Sequence, residues 1–178
     1  MSSLFTHIFI PIVILLLFSK KLKLNTKEIT ILSIFAVVPD ADSIFFMFKL
    51  SAVPLHRVIF HNIFIVIIPL LLFILVKSRR RIFGIICFYL ASHLILDLFT
   101  GGTFLFYPVY DNVFFAHAEL LFIDDSFTPA LEYGTSDRIM NMGIGEPAIS
   151  SENIAVVVLL IISAAVSAGG IYRKTRQE

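Results

Sequence analysis

Five stretches of the chain are apolar almost throughout: residues 4–18, 29–48, 58–76, 82–99 and 154–172. They approach the ~20 residues that a helix needs to cross a hydrocarbon core of ~30 Å, so each predicts a membrane-spanning helix. The first is short. It lacks the basic leader and small-residue cleavage site of a removable signal peptide, and its lysines follow the apolar run, so it reads as a retained span.

Polar residues punctuate these runs in an alternating way. Lys20, Lys21, Lys23 and Lys27 separate the first two spans, Lys77, Arg79, Arg80 and Arg81 the third and fourth, and Arg173, Lys174 and Arg176 follow the fifth. Basic loops face the cytoplasm, which puts the N-terminus outside and the C-terminus inside. Acidic residues behave oppositely: Asp111, Glu119, Asp124, Asp125, Glu132, Asp137, Glu146 and Glu152 all fall within 101–153. That segment opens on aromatic residues 104–122, suited to the headgroup region, and continues through Gly-, Ser- and Pro-punctuated residues 132–151, which read as loop. The expected fold is therefore all-α: a polytopic membrane bundle of about five spans with a long outer loop between spans four and five. Three parts follow, a four-span core (1–110), an acidic outer loop (111–153), and the fifth span with its basic tail (154–178).

Composition agrees. Of 178 residues, 58% are apolar and 15% charged, with a mean hydropathy of +0.93. Soluble domains run nearer ~45–50% and ~25%, which rules out an ordinary soluble monomer. The single Cys87 excludes a disulfide framework and a Cys-based zinc finger. The Lys and Arg clusters are accounted for by topology, and no nucleic-acid partner is expected.

Ionisable groups inside a bilayer are expensive and usually functional. Here they are His7, Asp40, Asp42, His61, His93 and Asp97, on four spans, with His56 and Arg57 just outside the third. Counted from the nearest basic residue, all six lie about 18–24 Å along their helices, one thin layer in the outer half of the membrane. His93 and Asp97, at i and i+4, share a helix face. Asp40 and Asp42 follow Pro39, where the second span should break, and a broken helix at that depth needs protein or a polar cavity around it. Histidines with carboxylates and no thiolate suit one or two divalent metals, zinc first, with manganese or iron as alternatives. A lone buried histidine is ordinarily a packing residue; six groups at one height favour a shared site. His117 reads as interfacial, Glu119, Asp124 and Asp125 as solvated loop charges, and Thr100-Gly101-Gly102 as the end cap of the fourth span.

The set His7, Pro39-Asp40-Ala41-Asp42, His56 to His61, and His93 to Asp97 followed by Thr100-Gly101-Gly102 resembles the YdjM-like family of inner-membrane proteins over about the first 110 residues. The resemblance implies an integral membrane protein with metal-dependent hydrolase activity, and carries His7, Asp40, Asp42, His56, His61, His93 and Asp97 over as matching positions. The chain departs from the family's H-R-G-x-T-H-S pattern: Val58 replaces the Gly, Phe60 the Thr and Asn62 the Ser. The ionisable residues survive these changes; the hydroxyls beside His61 do not.

The expected function is a membrane-embedded hydrolase open to the outer face, with His7, Asp40, Asp42, His61, His93 and Asp97 as metal ligands. His56 would act as general acid and Arg57 would steady an oxyanion or phosphate. Its partners would be the lipid bilayer and an amphipathic or phosphoester-lipid substrate. The rival is a small cation or proton transporter, which would also need access from the cytoplasmic half, where the spans read as Ile, Leu, Val and Phe. A metal-binding membrane protein without hydrolytic activity belongs to the same rival reading, and the third is an assembly or regulatory partner in which the site is a structural staple.

Overall fold

The structure, a computed structural model, describes residues 4–41, 60–123 and 126–137. It is mostly helical: α1 (Leu4–Leu22), α2 (Thr26–Leu32), α3 (Phe64–Leu75) and α4 (Arg80–Phe99), joined by short 3-10 turns at Ser33–Ala36, Pro39–Ala41 and Lys77–Arg79. Among the described residues, two helical stretches, Phe5–Leu22 and Lys77–Phe99, are long and apolar enough to cross a membrane. α3, with 12 residues, is shorter than a span. The fifth expected span, 154–172, lies outside the described residues, as do 42–59.

The second apolar stretch is not one continuous helix. α2 stops at Leu32, seven residues ahead of the break expected at Pro39, because the hydroxyls of Thr30 and Ser33 turn back onto the carbonyls of Thr26 (3.1 Å) and Thr30 (2.7 Å). Such back-bonding bends a helix, and Pro39, which has no N–H and disfavours helix at Val38, prevents its resumption. Backbone bonds then run three residues apart, from Val37 to Ile34, Asp40 to Val37 and Ala41 to Val38.

One face of α1 (Ile8, Ile12, Leu15, Leu16) packs with Ile29, Leu32, Phe35 and Ala36 against Ile85, Phe88 and Tyr89 of α4. The Tyr89 hydroxyl, sealed in this core, donates to the Ile29 carbonyl at 2.8 Å and ties α4 to α2. On the outward faces Leu17, Ile31, Ile68, Leu75 and Ile95 are more than half exposed, an arrangement that is costly in water and favourable in lipid.

Both basic connections gather at one end: Leu22 and Leu24 share a cavity with Arg80 and Arg81, and Glu28 shares another with Lys77 and Arg79. The opposite end carries a feature that corrects the all-α expectation. Residues 113–123 and 126–136, expected to be outer loop, form two antiparallel strands, β1 (Val113–Ile123) and β2 (Ser126–Ser136), in a register that pairs His117 with Glu132. Val113, Phe114 and Phe115 have the branched and aromatic character that favours strands. Residues 132–136, read as loop, are the end of β2. β1 lies against α4, so the hairpin is joined to that helix through its first strand.

Candidate metal centre

Ile85, Tyr89, His93 and Asp97 follow one another at four-residue steps on α4, and all are buried. The column is apolar at its base, hydrogen-bonded in the middle and ionisable at its top, so the face that packs the core also delivers two site residues. The broken second stretch prepares the seat for His93. In a continuous helix the Ala36 carbonyl would take the Asp40 N–H; here that N–H goes to Val37 instead. The Ala36 carbonyl accepts a hydrogen bond from His93 Nδ1 at 2.6 Å. A carbonyl can only accept, so Nδ1 carries the proton and, in the neutral ring, Nε2 presents its lone pair to the other side.

That lone pair faces a dense cluster. His93 Nε2 lies 3.2 Å from His61 Nε2 and 3.3 Å from Asp97 Oδ2, and His61 Nε2 lies 3.3 Å from the same oxygen. Asp40 Oδ1 sits across the two-imidazole edge, 3.2 Å from His61 Nε2 and 3.6 Å from His93 Nε2. His7, from the start of α1, stacks on His93 with ring centroids 3.9 Å apart, and its Nε2 is 3.5 Å from the other Asp97 oxygen. Asp97 thus spans the cluster, one oxygen toward His61 and His93, the other toward His7. His7, His61, His93 and Asp97 are at most 2% exposed, whereas Asp40 is 21% exposed and marks the open corner.

The donor set fits a divalent cation. With metal–ligand bonds of about 2.0–2.1 Å, neighbouring donors of a tetrahedral site stand about 3.4 Å apart. The triangle of His61, His93 and Asp97, with edges of 3.2, 3.3 and 3.3 Å, has the dimensions of one face of such a site. His7, Asp40 and His93 form a second group of donors at coordinating distance, sharing His93. The His93–carbonyl bond is the outer-shell partner that orients a ligating histidine. The buried Asp97 carboxylate, with Asp40 close by, also calls for positive charge nearby, which a cation supplies.

The sequence profile of the YdjM inner membrane protein family matches residues 1–175. The chain belongs to that family. No curated protein and no solved structure matches it significantly. Family membership makes this a membrane protein associated with the lipid bilayer, and the outward apolar faces of α1 and α4 agree.

Of the site residues expected in this family member, the structure brings together His7, Asp40, His61, His93 and Asp97, from four separate parts of the chain. Asp42, His56 and Arg57 lie outside the described residues, as does Asp124. His117 stands on β1 opposite Glu132 and belongs to neither group of candidate ligands. Two participants escaped sequence reasoning. The Ala36 carbonyl has no side-chain signature, although a helix break two to three residues later was the available hint. Thr103, whose hydroxyl donates to the His61 carbonyl at 2.6 Å, follows the glycine pair directly and was passed over with it as part of a helix end.

Proposed function

We propose that the protein is a multi-pass, membrane-embedded, metal-dependent hydrolase whose site opens to the outer face. The observation that carries this reading is the sealed triangle of His61, His93 and Asp97 with the partly exposed Asp40 at its edge, a closed ligand set with one accessible corner. Catalytic metal sites are built this way, with protein ligands on several sides and a position left for water or substrate. The outward orientation is supported by the gathering of Lys and Arg at the far end of the helices, with five spans, the N-terminus outside and the C-terminus in the cytoplasm.

His61, His93 and Asp97 would hold the cation, with His7 and Asp40 completing one site or shared between two. A bound divalent cation, zinc by donor chemistry, supplies Lewis acidity that brings the pKa of a water toward ~7 and polarises the scissile bond. Asp40, at the open corner, would orient a water there and accept a proton from it. His56 would donate a proton to the leaving group, and Arg57, beside it in the chain, would steady a phosphate. A site inside the bilayer's outer half suits an amphipathic substrate, and a phosphoester lipid matches both the Arg and a divalent cation.

Transport is less well supported, because the layer beneath the cluster is an apolar plug. Among the described residues, Leu15, Ile29 and Ile85 fill it, and the Tyr89 hydroxyl packed with them is committed to the Ile29 carbonyl. Hydrolysis needs one opening only.

The test is turnover by detergent-purified protein, supplied with zinc or manganese, on a panel of phosphorylated lipids. Activity should fall by more than about 100-fold in His61→Ala and Asp40→Asn and vanish with chelator, since even outer-shell losses cost 10–100-fold at metal sites. Turnover indifferent to both substitutions would remove hydrolysis from this site.

A further inference from the structure

We propose that Thr103 is a positioning residue that holds His61 in the cluster, making the outer hairpin a working part of the metal centre. The inference rests on the metal-site reading above, and the geometry that carries it is separate from the ligands.

His7, His93 and Asp97 stand on helices, and Asp40 on a 3-10 turn, so their backbones are held by local hydrogen bonds. His61 differs. Residues 60–63 are irregular backbone ahead of α3, and a ligand there must be fixed from outside its own segment. The fixing comes from 103–105. The Thr103 hydroxyl, fully buried, donates to the His61 carbonyl at 2.6 Å, and the Leu105 carbonyl accepts the Ile63 N–H at 2.8 Å. Two bonds thus clamp the backbone on either side of Asn62, whose own side-chain oxygen accepts the Phe64 N–H at 3.1 Å and starts α3.

The clamp is itself anchored. Thr103 exchanges both backbone bonds with Phe114 of β1, each at 2.9 Å, and Gly102 N–H bonds the Asp97 carbonyl at 2.9 Å. Gly102 permits this junction: its φ is +88°, and a Cβ there would stand 2.5 Å from Val113 Cγ1 and 2.7 Å from the Phe114 carbonyl oxygen. One short segment therefore ties the backbone of Asp97, the backbone of His61 and the first strand of the hairpin together. With Phe60 and Asn62 flanking His61 in place of hydroxyl residues, Thr103 is the residue whose hydroxyl meets the His61 backbone.

Thr103→Val keeps the shape and removes the hydroxyl; Thr103→Ser restores it. Apo protein titrated with zinc should bind about 10–100-fold more weakly in Thr103→Val, the range for loss of a partner that orients a ligand, and within about threefold of wild type in Thr103→Ser. Histidine-labelled NMR reads the same claim without metal: the His61 ring signals should shift in Thr103→Val but not in Thr103→Ser, while those of His117 stay in place. Wild-type zinc affinity in Thr103→Val, or equal impairment of the Val and Ser variants, would overturn the proposal. If wild type binds no zinc, the metal reading falls, and an unmoved His61 signal in Thr103→Val then sinks the positioning role as well. Zinc binding without turnover on any lipid leaves the affinity difference as the deciding result, so a failure of hydrolysis is distinguishable from a failure of the clamp.

Discussion

His93→Ala should abolish tight metal binding, with apparent zinc affinity weakened by well over 100-fold and helical content close to wild type. His93 is the donor shared by both candidate ligand groups: its Nε2 is 3.2 Å from His61, 3.3 Å from Asp97 and 3.6 Å from Asp40. Losing an outer-shell partner at a metal site costs 10–100-fold, and losing a ligand must exceed that. The substitution also deprives the Ala36 carbonyl of the His93 Nδ1–H and leaves space beside the His7 ring. Some loss of stability is therefore expected, of the ~1–3 kcal/mol that accompanies a buried group losing its hydrogen bond. His117→Ala is the control: it sits on the hairpin opposite Glu132 and should bind zinc as wild type does. Titration of apo protein with zinc checks both, and unchanged affinity in His93→Ala would remove the shared vertex from the site.

Chelation should lower the melting temperature of wild-type protein by on the order of 10 °C, and added zinc should restore it. A ligand present at 1,000 times its dissociation constant stabilises by ~4 kcal/mol, and for a chain of this size each kcal/mol moves the midpoint by ~2–4 °C. The effect should be concentrated in the cluster because Asp97, 2% exposed, is held against three imidazoles in a setting where an uncompensated carboxylate is costly. Asp97→Asn removes the charge and the anionic donor together, so this variant should melt at nearly the same temperature with and without chelator. Thermal unfolding in detergent, followed by circular dichroism, measures the difference. A chelator response as large in Asp97→Asn as in wild type would place the stabilising metal elsewhere.

The parts of this molecule that could be read from sequence are those governed by local rules. α1 and α4 were visible as apolar runs, and the shared face of His93 and Asp97 follows from helix geometry alone. The convergence of His7, Asp40 and His61 on that pair was suggested by depth counting, since alternate crossing of a bilayer of fixed thickness turns sequence distance into height. Depth says nothing about azimuth, and the contacts themselves required the structure. The second stretch was misjudged in extent. Its break begins at Ser33 through side-chain hydroxyls that compete with the backbone, an effect weaker and less visible than a proline. The hairpin was missed because Phe, Tyr and Leu between 104 and 122 carry the same composition whether they lie at a membrane interface or form a strand, and periodicity does not separate the two in a run apolar on both faces. Thr103 was hidden for a different reason: its partner is 42 residues away and is a backbone carbonyl, which leaves no trace in the pattern of side chains.

X-ray absorption at the metal edge of the zinc-loaded protein tests the donor set most directly. A first shell of nitrogen and oxygen only is expected, at about 2.0–2.2 Å, with the outer-shell pattern of at least two imidazoles, lost in His93→Ala. A sulfur shell at ~2.3 Å, which would implicate Cys87, or a spectrum without imidazole scattering, would contradict it.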